Sequence, residues 1–312
     1  MSEEKVLVGV IGGSGLYHLD NLTFIKEVNP ETPWGFPSSP ITIASLPSGA
    51  RVAFLARHGR GHSVSPSTVP NRANIAALKS LGVRAVLAFT AVGSLREEIA
   101  PGDFALPSQA LDRTKGVRAA SFFEGTSVVA HTAFGDPFSP KLSAWVEPRL
   151  RAALEGRAKL HTETCVVCIE GPQFSTRAES VLYRTWGGDL INMSAIPESK
   201  LAREAEISYA LIATATDYDS WRPEAAAVTA HDVFQTLKQN ADTSRHVAAA
   251  LLDDLQAAVA AEDANVFLEH VGSMKFSIMP RSTHQLPADR VKLAYVLPEY
   301  FSGEEQHDIG TA

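Results

Sequence analysis

With 312 residues, 45% of them apolar and 20% charged, the sequence is excluded from the disordered class and can build a large core. Its 28 Lys and Arg against 35 Asp and Glu give a formal charge of -7, which argues against non-specific nucleic-acid or anionic-membrane binding. An anionic small substrate stays open, because a buried site sets its own local field.

In chain order, short runs rich in Val, Ile, Leu and Ala predict strands at 5–11, 52–56, 85–89, 164–169, 190–193 and 209–215. They are apolar throughout rather than alternating, the mark of strands buried on both faces. Helical patterns fall between them at 71–81, 140–154, 176–186 and 198–205. The longest, 228–258, carries Val233, Leu237, Ala241, Ala248, Leu251 and Leu255 as one apolar stripe. The expected fold is α/β, one domain with a central mixed, largely parallel β-sheet flanked by helices. The domain is taken as 1–280. Beyond it, Pro287, Pro298 and an acidic end predict an extended C-terminal tail, 281–312, frayed at its terminus.

Cys165 and Cys168 are too few for a disulfide framework, and Met1-Ser2-Glu3-Glu4-Lys5 has no secretory apolar core. No apolar run reaches the roughly 20 residues that span a bilayer. The expected setting is a reducing compartment, the cytoplasm or nucleus.

Ligands of open α/β sheets bind beyond the carboxyl ends of strands, so the clusters there are the site candidates. Gly12-Gly13-Ser14-Gly15 suits an anion-binding nest and a plain tight turn equally. It is no dinucleotide fingerprint, because His18 stands where a third glycine belongs, and no Walker loop, because the lysine is missing. Arg57-His58-Gly59-Arg60-Gly61-His62 suits a phosphate or carboxylate clamp, against a solvated basic loop. Glycines 59 and 61 oppose the helix that a His58/His62 metal pair would need.

Thr90-Ala91-Val92-Gly93-Ser94 allows close backbone approach, or is a simple strand-to-turn junction. Glu170-Gly171-Pro172-Gln173-Phe174 can wall a ring-binding slot, or Phe174 is ordinary core. Cys165 and Cys168 point to opposite strand faces, which speaks against a redox or zinc pair. Asn192-Met193-Ser194 offers a thioether for a flat ring beside a hydroxyl, against a core methionine. In Thr216-Asp217-Tyr218-Asp219, two acids two residues apart share a face if the segment is extended. They can then meet ring nitrogens and an amine, one as a general acid, against a helix cap with solvated acids.

Taken in order, these six clusters resemble the methylthioadenosine-cleaving branch of the trimeric purine nucleoside phosphorylases. The likeness runs from about residue 6 to 280, and the tail matches nothing. It implies attack of inorganic phosphate on the N-glycosidic bond of 5′-methylthioadenosine, giving adenine and 5-methylthioribose 1-phosphate. Phosphate is then a co-substrate, and no metal or other cofactor is implied. The resemblance places phosphate at Ser14, Arg57, His58, Thr90, Ala91 and Ser194. Phe174 packs on the base and Met193 under the ribose. Asp217 faces N7 and the amino edge, with Asp219 assisting, as the catalytic acids. The 5′-methylthio pocket takes Ala230 and Val233, with His231 beside them competing for that wall. His131 comes from a neighbouring subunit, with Ile278 or Met279. The partners implied are a nucleoside and phosphate, with a homotrimer whose sites lie at subunit interfaces, and neither nucleic acid nor membrane. Two alternatives stand beside this reading: a phosphorylase for inosine or guanosine, and a nucleoside- or phosphate-binding module that has lost catalysis.

Overall fold

Successive residues of the buried strands go to opposite sides of one sheet, and each side carries its own core. The computed structural model of the chain describes residues 6–12, 22–222, 229–261 and 269–302, without the side chains of 230 and 232. Its strands are β1 (Val8–Gly12), β2 (Thr23–Val28), β3 (Ile41–Ser45), β4 (Arg51–Ala56), β5 (Ala85–Ser94), β6 (Phe104–Asp112), β7 (Leu160–Cys168), β8 (Leu190–Asn192) and β9 (Ser208–Asp217). Its helices are α1 (Asn71–Ser80), α2 (Pro140–Ala153), α3 (Arg177–Thr185), α4 (Ala195–Glu204), α5 (Ala230–Ala260), α6 (Pro287–Ala294) and α7 (Pro298–Phe301). In β5, Ala85, Leu87 and Phe89 join one core while Val86 and Ala88 join the other. Strand β9 divides the same way, with Ala210 and Ile212 against Leu211 and Ala213. Helices α2 and α5 cover the first face through Leu142, Val146, Leu150, Leu251 and Leu255. Helices α1 and α4 cover the second through Ile75, Leu78 and Leu201. This two-sided burial is why the strands read as apolar throughout.

The sheet order is β2-β3-β4-β1-β5-β8-β7-β6-β9, and β9 returns to pair with β5. Five strands, β5, β8, β7, β6 and β9, therefore close a ring. Pairs β1–β4, β1–β5, β5–β9, β6–β7 and β7–β8 are parallel, and β2–β3, β3–β4, β5–β8 and β6–β9 are antiparallel. The sheet is mixed, as expected, and its closure is the feature that the apolar runs did not announce.

Three strands lie outside the predicted set. Strand β2 is exposed along nearly its whole length, so no apolar run marks it. Strand β3 is only five residues long, with polar residues interspersed. Strand β6 carries Pro107, where its register to β7 shifts. The helices match the predicted spans closely. Helix α3 is started by a capping box, in which Thr176 Oγ1 accepts from Glu179 N and Glu179 accepts from Thr176 N.

The C-terminal segment corrects the expected extended tail. Residues 287–294 and 298–301 form α6 and α7, with prolines at their starts. Leu293, Val296, Leu297 and Phe301 are buried in the same core as α1 and α4. Each such side chain contributes about 1.5–3 kcal/mol by leaving water. Glu206 adds polar anchors, accepting from Met274 N at 2.9 Å and from Tyr300 Oη at 2.6 Å. The prolines that read as breakers are helix starters, and the apolar residues behind them pay for nothing but docking. The terminus beyond Ser302 lies outside the described residues.

Candidate active site

A cavity of about 490 Å³ opens where β4, β5, β7, β8 and β9 end. Its lining includes Arg57, His58, Thr90, Ala91, Phe174, Met193, Ser194, Asp217, Asp219 and Val233. Ten of the residues singled out in the sequence thus meet in one place. Ser14 lies outside the described residues, as does the side chain of Ala230. His231 is exposed and does not line the cavity, whereas Val233 and Phe234 do.

One end is built around Arg57. Strand β4 stops at Ala56, and the next side chain turns inward, leaving Arg57 only 1% exposed. Its Nε and Nη2 donate to the two carboxylate oxygens of Glu198 at 2.7 and 2.8 Å, and its Nη1 donates to Phe89 O at 3.1 Å. Glu198 is itself fully buried and also accepts from Tyr209 Oη at 2.6 Å. The fork geometry fixes the guanidinium plane, and the ion pair as a unit carries no net charge. His58 is anchored through Nδ1, 2.9 Å from Val64 O. A carbonyl only accepts, so Nδ1 carries the hydrogen and Nε2 is the lone-pair nitrogen of the neutral ring. Burial, followed by the Arg57 charge, lowers the His58 pKa to about 4. His62 stacks on it with ring centroids 4.4 Å apart, a face-to-face arrangement rather than a convergent pair of nitrogens. Thr90 Oγ1 and Ser194 Oγ lie 3.0 Å apart and complete a cluster of small donors.

Thr90 and its neighbours correct one expectation. They do not follow their strand but lie inside it, because β5 runs on to Ser94 with a register shift between Val92 and Gly93. Gly93 is required there by space. A Cβ at that position would come within 2.9 Å of Ile191 and 3.1 Å of the Asp217 carboxylate.

The opposite end holds the acids. Asp217 is the last residue of β9, and its Oδ1 accepts from Thr216 Oγ1 at 2.7 Å. The two acids do not share a face by strand alternation, as the sequence suggested. The chain turns, Asp219 takes a φ of +41°, and its N–H donates to Asp217 Oδ2 at 2.8 Å. Asp219 is 4% exposed, and burial raises its pKa. Phe174 and Pro172 form one wall, but Glu170 does not line the cavity. Its backbone carbonyl instead takes part in anchoring the loop, accepting from Ser67 Oγ at 3.0 Å. Met193 packs against the same loop. At Gly171, with φ +64°, a Cβ would fall 2.4 Å from Met193 Sδ, so only glycine fits.

His131, Ile278 and Met279 do not line this chain's own cavity. An antiparallel bridge between Ala130 and Ile278 brings them together elsewhere, with His131 N donating to Ser277 O at 2.8 Å. Cys165 and Cys168 are free, and Cys168 is buried against the backbone of residue 196.

Three residues escaped the sequence reading: Glu198, Arg118 and Phe234. Glu198 sits in an apolar stretch, Ala195-Ile196-Pro197-Glu198, where a lone acid needs a buried cation. Arg118 is only 7% exposed, but it follows Arg113 and Lys115, and nothing in the sequence separates it from those cations. Phe234 stands edge-on to His62 at 5.7 Å, and nothing in its local pattern separates it from the α5 stripe.

Residues 7–257 match the family model described as the phosphorylase superfamily. The S-methyl-5′-thioadenosine phosphorylase of Coprinopsis cinerea is 65% identical, covering 96% of this chain and 99% of its own. That of Mycosarcoma maydis is 57% identical, covering 92% of each. Among solved structures, a methylthioadenosine phosphorylase from an antarctic soil metagenomic library is 40% identical with a TM-score of 0.84, covering 95% of this chain and all of its own. A mutant of the Schistosoma mansoni adenosine/methylthioadenosine phosphorylase, in complex with methylthioadenosine, is 32% identical with a TM-score of 0.77, covering 88% and 98%. The chain belongs to the phosphorylase superfamily and, within it, to the S-methyl-5′-thioadenosine phosphorylases.

Proposed function

We propose that this protein cleaves S-methyl-5′-thioadenosine with inorganic phosphate, releasing adenine and 5-methylthioribose 1-phosphate. The observation that carries the reading is a single cavity with a cation-backed cluster of donors at one end and an acid pair, half-buried Asp217 and buried Asp219, at the other. Its relatives' names state the same reaction class.

Phosphate sits at Arg57, His58, Thr90, Ala91 and Ser194, with Ser14 from the first loop. His58 enters as a neutral ring whose Nε2 can accept from the hydroxyl of monohydrogen phosphate, while Thr90, Ser194 and the guanidinium donate to its other oxygens. A phosphate oxygen forms a bond to C1′ as the bond from C1′ to N9 breaks. The electron pair of that bond goes to the purine, which takes a proton at N7. Asp217 faces N7 and the 6-amino group and delivers that proton, and Asp219, whose pKa burial raises, assists beside it. The rate comes from positioning and from charge matched to a cationic sugar between an anion and a protonated base. A carboxylate accepts from an amino group and repels a carbonyl oxygen, so the acid pair favours a 6-aminopurine over inosine or guanosine.

The 5′ end is read as apolar, with Val233 and Phe234 lining it and Ala230 expected nearby. Phe234 is 48% exposed in one copy, a large ring at the cavity mouth that a neighbour can cover. The grouping of His131, Ile278 and Met279 by the bridge at Ala130, away from this chain's own cavity, supports their serving another copy in a homotrimer. Among the described residues no helix is long and apolar enough to cross a membrane. The two free thiols support a reducing setting, the cytoplasm or nucleus.

Phosphate-dependent turnover of methylthioadenosine, inosine and guanosine, measured side by side, tests the reading. Methylthioadenosine is expected to be cleaved fastest, and only when phosphate is present. Faster inosine cleavage would assign the protein to the inosine and guanosine enzymes, and no cleavage of any would leave a binding module.

A further inference from the structure

Two loops build the nucleoside end of the cavity: 169–174, with Ile169, Pro172 and Phe174, and 192–196, with Asn192, Met193 and Ser194. They follow the paired strands β7 and β8, Ile169 N donates to Asn192 O at 2.8 Å, and Met193 packs against Gly171. Arg118, which reaches in from the loop after β6, ties them a second time. Its Nη1 donates to Met193 O and to Ile196 O, both at 2.7 Å. Its Nη2 donates to Glu170 O at 2.6 Å and to Ile169 O at 3.3 Å. Four carbonyl dipoles from two loops thus converge on one guanidinium. Without a cation between them they would repel, and the contacts to Ile196 O and Ile169 O are buried away from water.

The charge balance is as telling as the geometry. The guanidinium of Arg57 is matched by Glu198. Lys200 is matched by Asp112. Among the described residues every acceptor of Arg118 is a neutral backbone carbonyl, and no carboxylate pairs with it. Its positive charge is therefore held by dipoles rather than by a bonded carboxylate, on carbonyls of Ile169 and Met193, which line the cavity. His58 feels that charge, after burial and Arg57, among the influences that keep its ring neutral.

We infer that Arg118 is a positioning residue that ties the two nucleoside loops together and, through the carbonyls of Met193 and Ile196 on either side of Ser194, brings a positive charge with no bonded carboxylate to the phosphate side. The assignment rests on the proposed phosphorolysis but concerns a residue that touches neither substrate. It makes two separable demands. Tying the loops needs a planar fork with donors on two nitrogens, which lysine cannot reproduce. Supplying charge needs only a cation.

Arg118→Lys and Arg118→Gln, assayed beside the wild type for KM of phosphate and KM of methylthioadenosine, separate the two. Arg118→Lys should raise the nucleoside KM about tenfold or more while the phosphate KM stays within about threefold. Arg118→Gln should raise the nucleoside KM similarly and the phosphate KM about tenfold as well, because charge-assisted attraction is gone. Circular dichroism and melting curves accompany both. An unchanged phosphate KM in Arg118→Gln, or an unchanged nucleoside KM in Arg118→Lys, would overturn the assignment. So would failure of both variants to fold, which would make Arg118 a residue of the fold alone. A wild type that releases no adenine would instead sink the reading of the site and take the assignment with it.

Discussion

The two ends of the cavity are held in opposite ways. At the proposed phosphate end, side chains far apart in sequence hold one another: Arg57 is locked by Glu198, 141 positions away, and Thr90 meets Ser194, 104 positions away. At the proposed purine end, local turns do the holding: Asp219 N–H caps the Asp217 carboxylate two residues back, and Thr216 Oγ1 caps its other oxygen. The first arrangement needs the whole fold to be correct before the charge is in place. The second is preformed by a short segment and needs only space, which Gly93 leaves open. The difference suits the ligands. A small, highly charged anion needs fixed charges from several directions, whereas a flat base needs an edge and two walls.

The comparison can be broken most severely at Arg57. Arg57→Ala removes the proposed phosphate ligand and strands a buried carboxylate, so it should destabilise the protein by about 3–5 kcal/mol besides weakening phosphate use. The double variant Arg57→Ala, Glu198→Gln should recover much of that stability and none of the phosphate affinity. Melting curves and phosphate KM, read together, check it. If the single variant melted like the wild type, the pair would not be the keystone of this end.

A smaller loss, confined to chemistry, is expected at the purine end. Asp217→Asn keeps the shape of the turn but not the carboxylate. It should lower kcat about 10²–10⁴-fold with little change in melting temperature or phosphate KM. Single-turnover release of adenine is the measurement, and unchanged turnover would remove Asp217 from the acid role.

The smallest effect sharpens the contrast from outside the cavity. Glu198 has a guanidinium, but Glu204, buried on the same helix, has Phe122 N as its close donor at 2.7 Å. Burial pushes its pKa up to about 7, from an ordinary 4.5. A raised carboxyl pKa means that the folded protein binds a proton the unfolded chain releases between pH 4.5 and 7. Its contribution is complete below pH 4.5 and is lost as pH rises through 7. Glu204→Gln imitates the protonated form, so relative to the wild type it should gain a few degrees of melting temperature between pH 5 and pH 8. A gap that does not widen with pH would show that the acid is not neutral in the fold.

How much of this was legible beforehand follows from how far each signal reaches along the chain. Apolar strands and the α5 stripe are local patterns, and they were found within a few residues of their observed ends. Strand β2 is exposed and β6 is interrupted by Pro107, so neither has a local pattern to find. The C-terminal helices were misread because Pro287 and Pro298 look the same as breakers and as first-turn residues until the burial of Leu293 and Phe301 is known.

The amino-acid order by itself marked the candidate site residues: Arg57, His58, Ser194, Asp217 and Asp219 stand out by their types and by the strands they adjoin. Only the tertiary structure decided their electrical state and their support. Glu198 neutralises Arg57, Val64 O selects the His58 tautomer, a positive φ at Asp219 turns one acid onto another, and four carbonyls gather on Arg118. The reason is physical. A residue's type is a property of one position, but its charge and orientation depend on groups that the closed sheet brings together from across the chain.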